Sequence, residues 1–231
     1  MTREEANLGT KRDSEQNAEK DMAESGRLPR KERERVMHRE SILDAARNLI
    51  ARRPYNEITV QEIAAESEFS VGYIYKIFES KEDIYVALMK EMGKELLVVM
   101  DRAMLRPGEF ERRFRGLVHD VLVWSDENPT FTANYFQEIH IMSRTLPRLM
   151  SAHQESYELL EKKAAAFFKQ GIEAGAIEGD IEIMTRTLRA LIGGFIGEDM
   201  LHDAKSRKWA HYTPTIVRVF MRAFAPEGGA K

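Results

Sequence analysis

The chain has 231 residues, 43% hydrophobic and 32% charged, a balance that suits one globular domain, or two small ones sharing a core, and excludes wholesale disorder. It has no cysteine, which excludes disulfide frameworks, thiolate zinc sites, iron–sulfur clusters and cysteine nucleophiles and points to a reducing compartment, the cytoplasm. No stretch reaches the roughly 18 apolar residues of a membrane span, and no signal-peptide h-region follows Met1, so no membrane partner is expected; the net charge of -3 is not that of an indiscriminate nucleic-acid binder.

Residues 1–28 are polar and of mixed sign, too poor in apolar side chains to offset the entropy of ordering, and are expected to form a disordered tail. Six basic residues (Arg27, Arg30, Lys31, Arg33, Arg35 and Arg39) then stand against Glu32 and Glu34, a basic arm on an otherwise acidic chain. Two readings of it are open: a solvated linker, or an arm that tracks phosphates or enters a minor groove. A helical period begins after Pro29 with Val36, Ile42, Ala45, Ala46, Leu49 and Ile50, and Pro54 stops it. Tyr55 to Ile58 reads as a short link.

Thr59-Val60-Gln61-Glu62 has the form of a capping box, opening a short helix that runs to Glu66. Ser70 is a second N-cap candidate, for a helix from Val71 to Phe78 with Ile74 and Phe78 inward. Ser80-Lys81-Glu82-Asp83 caps a third start, and a long amphipathic helix follows through Ile84, Leu88, Met92, Leu96 and Val99, ending before Pro107.

The remainder is helical by period. Phe110, Phe114, Leu117, Val121 and Trp124 mark one helix, closed by Asn128-Pro129, and Phe131 to Ser143 another, ended by Pro147. Leu149 to about Glu173 is long, with Gly171, Gly175 and Gly179 supplying a C-cap and a turn. Asp180 caps the next, through Leu188, Leu191 and Phe195 to about Leu201, and a last helix follows Pro214 through Phe224. With no hairpin-punctuated β-period segment, the expected class is all-α, about nine helices.

Two short capped helices joined by a tight turn make a helix-turn-helix candidate. The residues from Ile58 to Ala64 and from Phe69 to Glu82 couple T-V-x-x-I-A to S-x-G-x-I-Y-x-x-F-x-S-K-E, a pattern that closely resembles the N-terminal DNA-binding domain of TetR-family transcriptional regulators. The resemblance implies a three-helix DNA-binding domain at 29–80, including the basic arm, and a helical effector-binding and dimerisation domain at 81–225, with 226–231 a flexible end. It also implies phosphate contacts for Thr59, Tyr75 and Lys76. The physics of groove reading agrees: the first turn of a recognition helix should be small or polar, and Ser70, Val71, Gly72 and Tyr73 occupy it. Gln61 offers a bidentate amide to adenine, and Lys81 adds a cation beside helix-end N–H groups that favour anions. The chain departs from the family pattern at Ser67-Glu68-Phe69, where Ala-Gly-Val is usual, at Pro54 in place of Gly, and at Ile77 in place of a phosphate-binding His or Tyr.

The C-terminal half resembles the family in layout alone. Small residues at Ala190, Gly193, Gly194 and Gly197 would let two copies pair closely across a two-fold axis; a crossing within one chain is the alternative. A homodimer also follows from need, since one short recognition helix reads too few base pairs and a palindromic double-stranded operator offers half-sites roughly 34–36 Å apart. The resemblance places an apolar effector pocket in the helices from Glu82 to Ser156, for which Trp124, Tyr135, Phe136 and His140 are the candidate lining residues; core packing is the competing account of this Met- and Phe-rich stretch. Gly193-Gly194-Phe195-Ile196-Gly197 has neither the preceding strand nor the Lys-Ser/Thr of a phosphate loop, and the six scattered histidines have no zinc-site spacing, so no metal, cofactor or catalytic residue is assigned. The expectation is a ligand-responsive regulator, a repressor released from its operator by a small hydrophobic effector. The rival is a DNA-binding protein without an effector that organises the chromosome or a protein assembly. An all-α enzyme would need a catalytic constellation that the sequence does not display.

Overall fold

The computed structural model describes residues 29–53, 55–129, 131–132, 147–201 and 208–227. The tail at 1–28, the residues Tyr135, Phe136 and His140, and most of the helix expected at Phe131 to Ser143 lie outside the described residues. Those that are described form eight α-helices and two short 3-10 turns, without a β-strand among them.

Helix α1 (Arg30–Ile50) starts just after Pro29 and has two different halves. From Ile42 onward, Ile42, Leu43, Ala45, Ala46, Leu49 and Ile50 are buried. The spacing puts them on one stripe of the helix. The preceding turns, through Met37, are exposed. The basic stretch from Arg30 onward is therefore no extended arm but the projecting start of α1. Its polar side chains lie along consecutive helical turns, with Arg30 paired to Glu34 at 2.8 Å. The link after α1 is a 3-10 turn, Tyr55–Glu57, whose Tyr55 ring is buried and stacks on Tyr85 at 4.2 Å between centroids.

Helices α2 (Val60–Glu66) and α3 (Val71–Ile77) are seven residues each. At that length a helix is not stable by itself, so caps and burial hold the pair. Both expected caps form: the Thr59 hydroxyl accepts from the Glu62 N–H at 3.2 Å, the Glu62 carboxylate accepts from the Thr59 N–H at 2.8 Å, and the Ser70 hydroxyl accepts from the Tyr73 N–H at 3.2 Å. Ile63, Ala64 and Ile74 face inward. Phe78 is buried as expected, but it is the extended residue that ends α3.

Helix α4 (Lys81–Met104) is capped by Ser80, whose hydroxyl accepts from the Asp83 N–H at 3.1 Å. Its first half, with Ile84, Tyr85, Leu88 and Met92, completes the core formed by α1, α2 and α3. Its last turn, with Met100 and Ala103, enters a second core. Around that second core stand α5 (Phe110–Glu127), α6 (Pro147–Glu173), α7 (Ile181–Leu201) and α8 (Thr213–Ala223). A run of aromatic contacts forms its centre, with Phe114 4.6 Å from Phe220, which stacks on Phe168 at 5.0 Å. A 3-10 turn, Trp209–Tyr212, leads into α8, and the Asp126 carboxylate on α5 accepts from the backbone N–H groups of Trp209 and Ala210 at 2.6 and 3.1 Å.

The long helix expected from Leu149 is described from Pro147, and the end of the helix expected before it lies outside the described residues. One sequence expectation changes here. Of the three glycines expected to close α6, Gly175 (φ +67°) and Gly179 (φ +131°) do form the turn. Gly171 instead sits inside the helix, where a Cβ would come within 2.5 Å of the Phe110 ring. It is there to let two helices approach.

Candidate nucleic-acid interface and ligand cavity

The turn between α2 and α3 explains how a family-atypical sequence keeps the motif. The Phe69 N–H donates to the Ala64 carbonyl at 3.0 Å and the Glu68 N–H to the Ala65 carbonyl at 3.4 Å, the paired bonds of a Schellman motif. That motif needs a left-handed residue, and Glu68 takes it with φ +60°. Phe69 then packs against the first core and sets the direction of α3.

One side of α3 is anchored and the other is open. Ile74 is fully buried, and Val71 and Ile77 pack partly against the first core. Ile77 thus serves packing at the position where the family has a polar phosphate ligand. Ser70, Gly72, Tyr75 and Lys76 are exposed, and a Cβ added at Gly72 would meet nothing within 4 Å. Gln61 and Thr59 on α2 are exposed as well. The Thr59 hydroxyl is engaged, donating to the Glu62 carboxylate at 2.9 Å while it serves as the cap.

Tyr73 is half-buried. Its ring stacks on Phe69 at 5.1 Å, and its hydroxyl is 2.7 Å from His38 Nδ1 on α1. His38 in turn lies 5.0 Å from the Phe69 ring. The tyrosine is therefore held by a small cluster joining α1, the turn and α3, a contact that no local motif announces. Lys81 is also half-buried. Its ammonium stands 4.2 Å over the Tyr55 ring, and loss of solvent there lowers its pKa against the opposing pull of Glu82 and Glu62. Glu62 goes the other way: the Arg53 guanidinium at 2.7 Å, then the Thr59 backbone N–H and hydroxyl, hold its carboxyl at about 2 rather than 4.5.

In the second domain a partly open cavity of about 130 Å³ lies between α4, α5, α6 and α7. Leu96 and Met100 come from α4, Leu117, Val121 and Trp124 from α5, Leu160 and Ala164 from α6, and Leu188 and Ile192 from α7. Cavities of this size are known to hold a benzene-sized apolar molecule. Trp124, singled out from the sequence, lines it. The polar groups at this cavity, Glu161 and Arg189 foremost, were not legible beforehand, because they stand on helices that meet only in three dimensions. Among the described residues no group of three His, Asp or Glu could hold a metal, and no helix is long and apolar enough to cross a membrane.

A capped helix-turn-helix on a three-helix core, joined through one long helix to a second helical domain with a cavity, defines a helix-turn-helix transcriptional regulator. Residues 42–88 match the family model described as bacterial regulatory proteins, tetR family, and these residues include α2, α3 and the start of α4. It is 25% identical over 160 residues to the fatty acid metabolism regulator protein of Bacillus subtilis (strain 168), a match covering 68% of this chain and 78% of the relative. Its fold is shared with the fatty acid degradation regulator FadR of Bacillus halodurans, at a TM-score of 0.71 and 17% identity over 84% of this chain and 96% of that one. The FadR of Bacillus subtilis, solved in complex with stearoyl-CoA, superimposes at a TM-score of 0.68 and 19% identity, covering 79% and 97%.

Proposed function

We propose that this regulator is a homodimeric repressor that reads a palindromic operator through α3 and leaves it when an apolar, acyl-type ligand enters the cavity. The observation that carries this reading is α4 itself, which bears part of the DNA-binding core at one end and the cavity residues Leu96 and Met100 at the other. Its 24 residues span about 36 Å as a single rod. A ligand that shifts the far end changes the separation of two recognition helices.

In this reading the base readers are Ser70, Val71, Gly72 and Tyr73, with Gln61 beside them, and Thr59, Tyr75, Lys76 and Lys81 serve the phosphates. The domain division near residue 80 is a proposal of the same standing, with α4 contributing to both cores. The relative bound to stearoyl-CoA supports an acyl ligand, and the apolar walls of the cavity suit one end of such a chain. An effector-independent DNA organiser would be expected to have a filled second domain; the cavity speaks for the effector. Moving the balance from 1:99 to 99:1 takes about 5.5 kcal/mol of preference for the DNA-free state, so a ligand with less gives partial release.

Gel-shift titration on the DNA flanking the gene tests the reading. Wild-type protein should bind one site, Tyr73→Ala should weaken that binding about tenfold or more, as expected for loss of a base contact together with the packing that places it, and an acyl-CoA should release the wild-type complex. Affinity within twofold for Tyr73→Ala would remove Tyr73 from the reading set.

A further inference from the structure

The polar groups around the cavity are not equivalent. The Ser125 hydroxyl donates to the Val121 carbonyl at 2.9 Å, the Thr185 hydroxyl to the Glu182 carbonyl at 2.9 Å and the Thr132 hydroxyl to the Ser125 carbonyl at 3.4 Å, so these three donors are already engaged with backbone carbonyls. The one cation among the lining side chains described is Arg189 on α7. It donates through Nη1 to Glu161 Oε1 on α6 at 3.0 Å, and its guanidinium lies 4.9 Å over the Tyr157 ring. Both partners are partly buried, with 37% of the Arg189 side chain and 27% of that of Glu161 exposed.

We propose that this ion pair makes the cavity select amphiphiles whose polar end is uncharged, an ester or thioester, over free carboxylates. The inference rests on the reading of the cavity as the effector site. An ionised carboxylate entering beside Arg189 would have to share one guanidinium with Glu161, leaving a net negative charge where part of the water has been removed, and like charges in one site oppose each other. It would also give up its own hydration for a cation that is already paired. A carbonyl asks for less. It needs one N–H of the guanidinium fork, which has five, and Glu161 can stay where it is. Glu161 is thus the residue that rejects the free acid, and Arg189 the residue that receives the carbonyl.

The test compares decanoate with methyl decanoate at mildly alkaline pH, where the acid is ionised. Binding is read by the fluorescence of Trp124 in a Trp209→Phe background, and by calorimetry on the unsubstituted chain. Wild type should favour the ester about tenfold, a preference of roughly 1.4 kcal/mol. Glu161→Gln, which leaves Arg189 with its charge unopposed, should erase or reverse that ratio; Arg189→Gln, which leaves Glu161 alone, should widen it. Because the readout is a ratio within each variant, a general loss of stability cannot imitate it. Ester binding with a ratio that stays the same in Glu161→Gln overturns the selectivity and leaves the effector site standing. Binding of neither ligand by the wild type overturns the effector site, and this inference with it.

Discussion

Helices α2 and α6 end in the same Schellman geometry with different residues at its left-handed position, Glu68 in one and Gly175 in the other. In the Ser67-Glu68-Phe69 turn Glu68 stands where the family has glycine, and it carries the left-handed conformation with φ +60°. A Cβ in that conformation costs about 1 kcal/mol relative to glycine. Glu68→Gly is therefore expected to raise stability by up to about 1 kcal/mol, reduced by the extra freedom of glycine in the unfolded chain. Urea unfolding checks this, and a lowered midpoint would mean that the Glu68 side chain makes a stabilising contact. Tyr73 illustrates the opposite limit of residue-level reading. Its place in the first turn of α3 was visible from Ser70 and Gly72, but its hydrogen bond to His38 crosses 35 positions of sequence, beyond the range of any cap or turn rule.

Helix starts were the most legible elements, because a cap is decided within four residues. Thr59, Ser70, Ser80 and Asp180 each cap the helix expected of them. What capping rules do not supply is the outside partner. Arg53, before the 3-10 turn, binds the Glu62 carboxylate that also closes the capping box. Glu62 is thereby held at about 2 against an ordinary value of 4.5. A carboxyl depressed on folding favours the folded state fully above its ordinary value, and that contribution disappears as pH falls from about 4.5 towards 2. The thermal midpoint of the wild type should therefore fall across this window more steeply than that of Glu62→Gln, which cannot ionise. Identical profiles would show that the Arg53 contact does not persist in solution. Gly171 marks where element rules fail: a glycine near a helix end reads as a cap, whereas the nearby Phe110 ring, supplied by another helix, is its reason for being there.

At the scale of the whole molecule, α7 carries the clearest consequence. Gly194 and Gly197 have open space where a Cβ would stand, so their small size serves no packing within the described chain. Ile183 on the same helix and Val219 on α8 are large apolar side chains left 57% and 42% exposed. A face of this kind is what a second copy would cover, and Gly194→Leu should leave the subunit folded while shifting sedimentation from dimer to monomer and weakening operator binding. A variant that remains dimeric would move the interface elsewhere. The all-helical class, the caps, the helix-turn-helix and the likeness of residues 42–88 to the tetR family were readable from the order of residues alone, because each depends on spacings of a few positions along the chain. The His38–Phe69–Tyr73 cluster, the use of one rod by two cores, and the pairing of Glu161 with Arg189 at an apolar cavity were settled by packing. They bring together side chains from distant helices, and no periodicity along a chain specifies which two helices will touch.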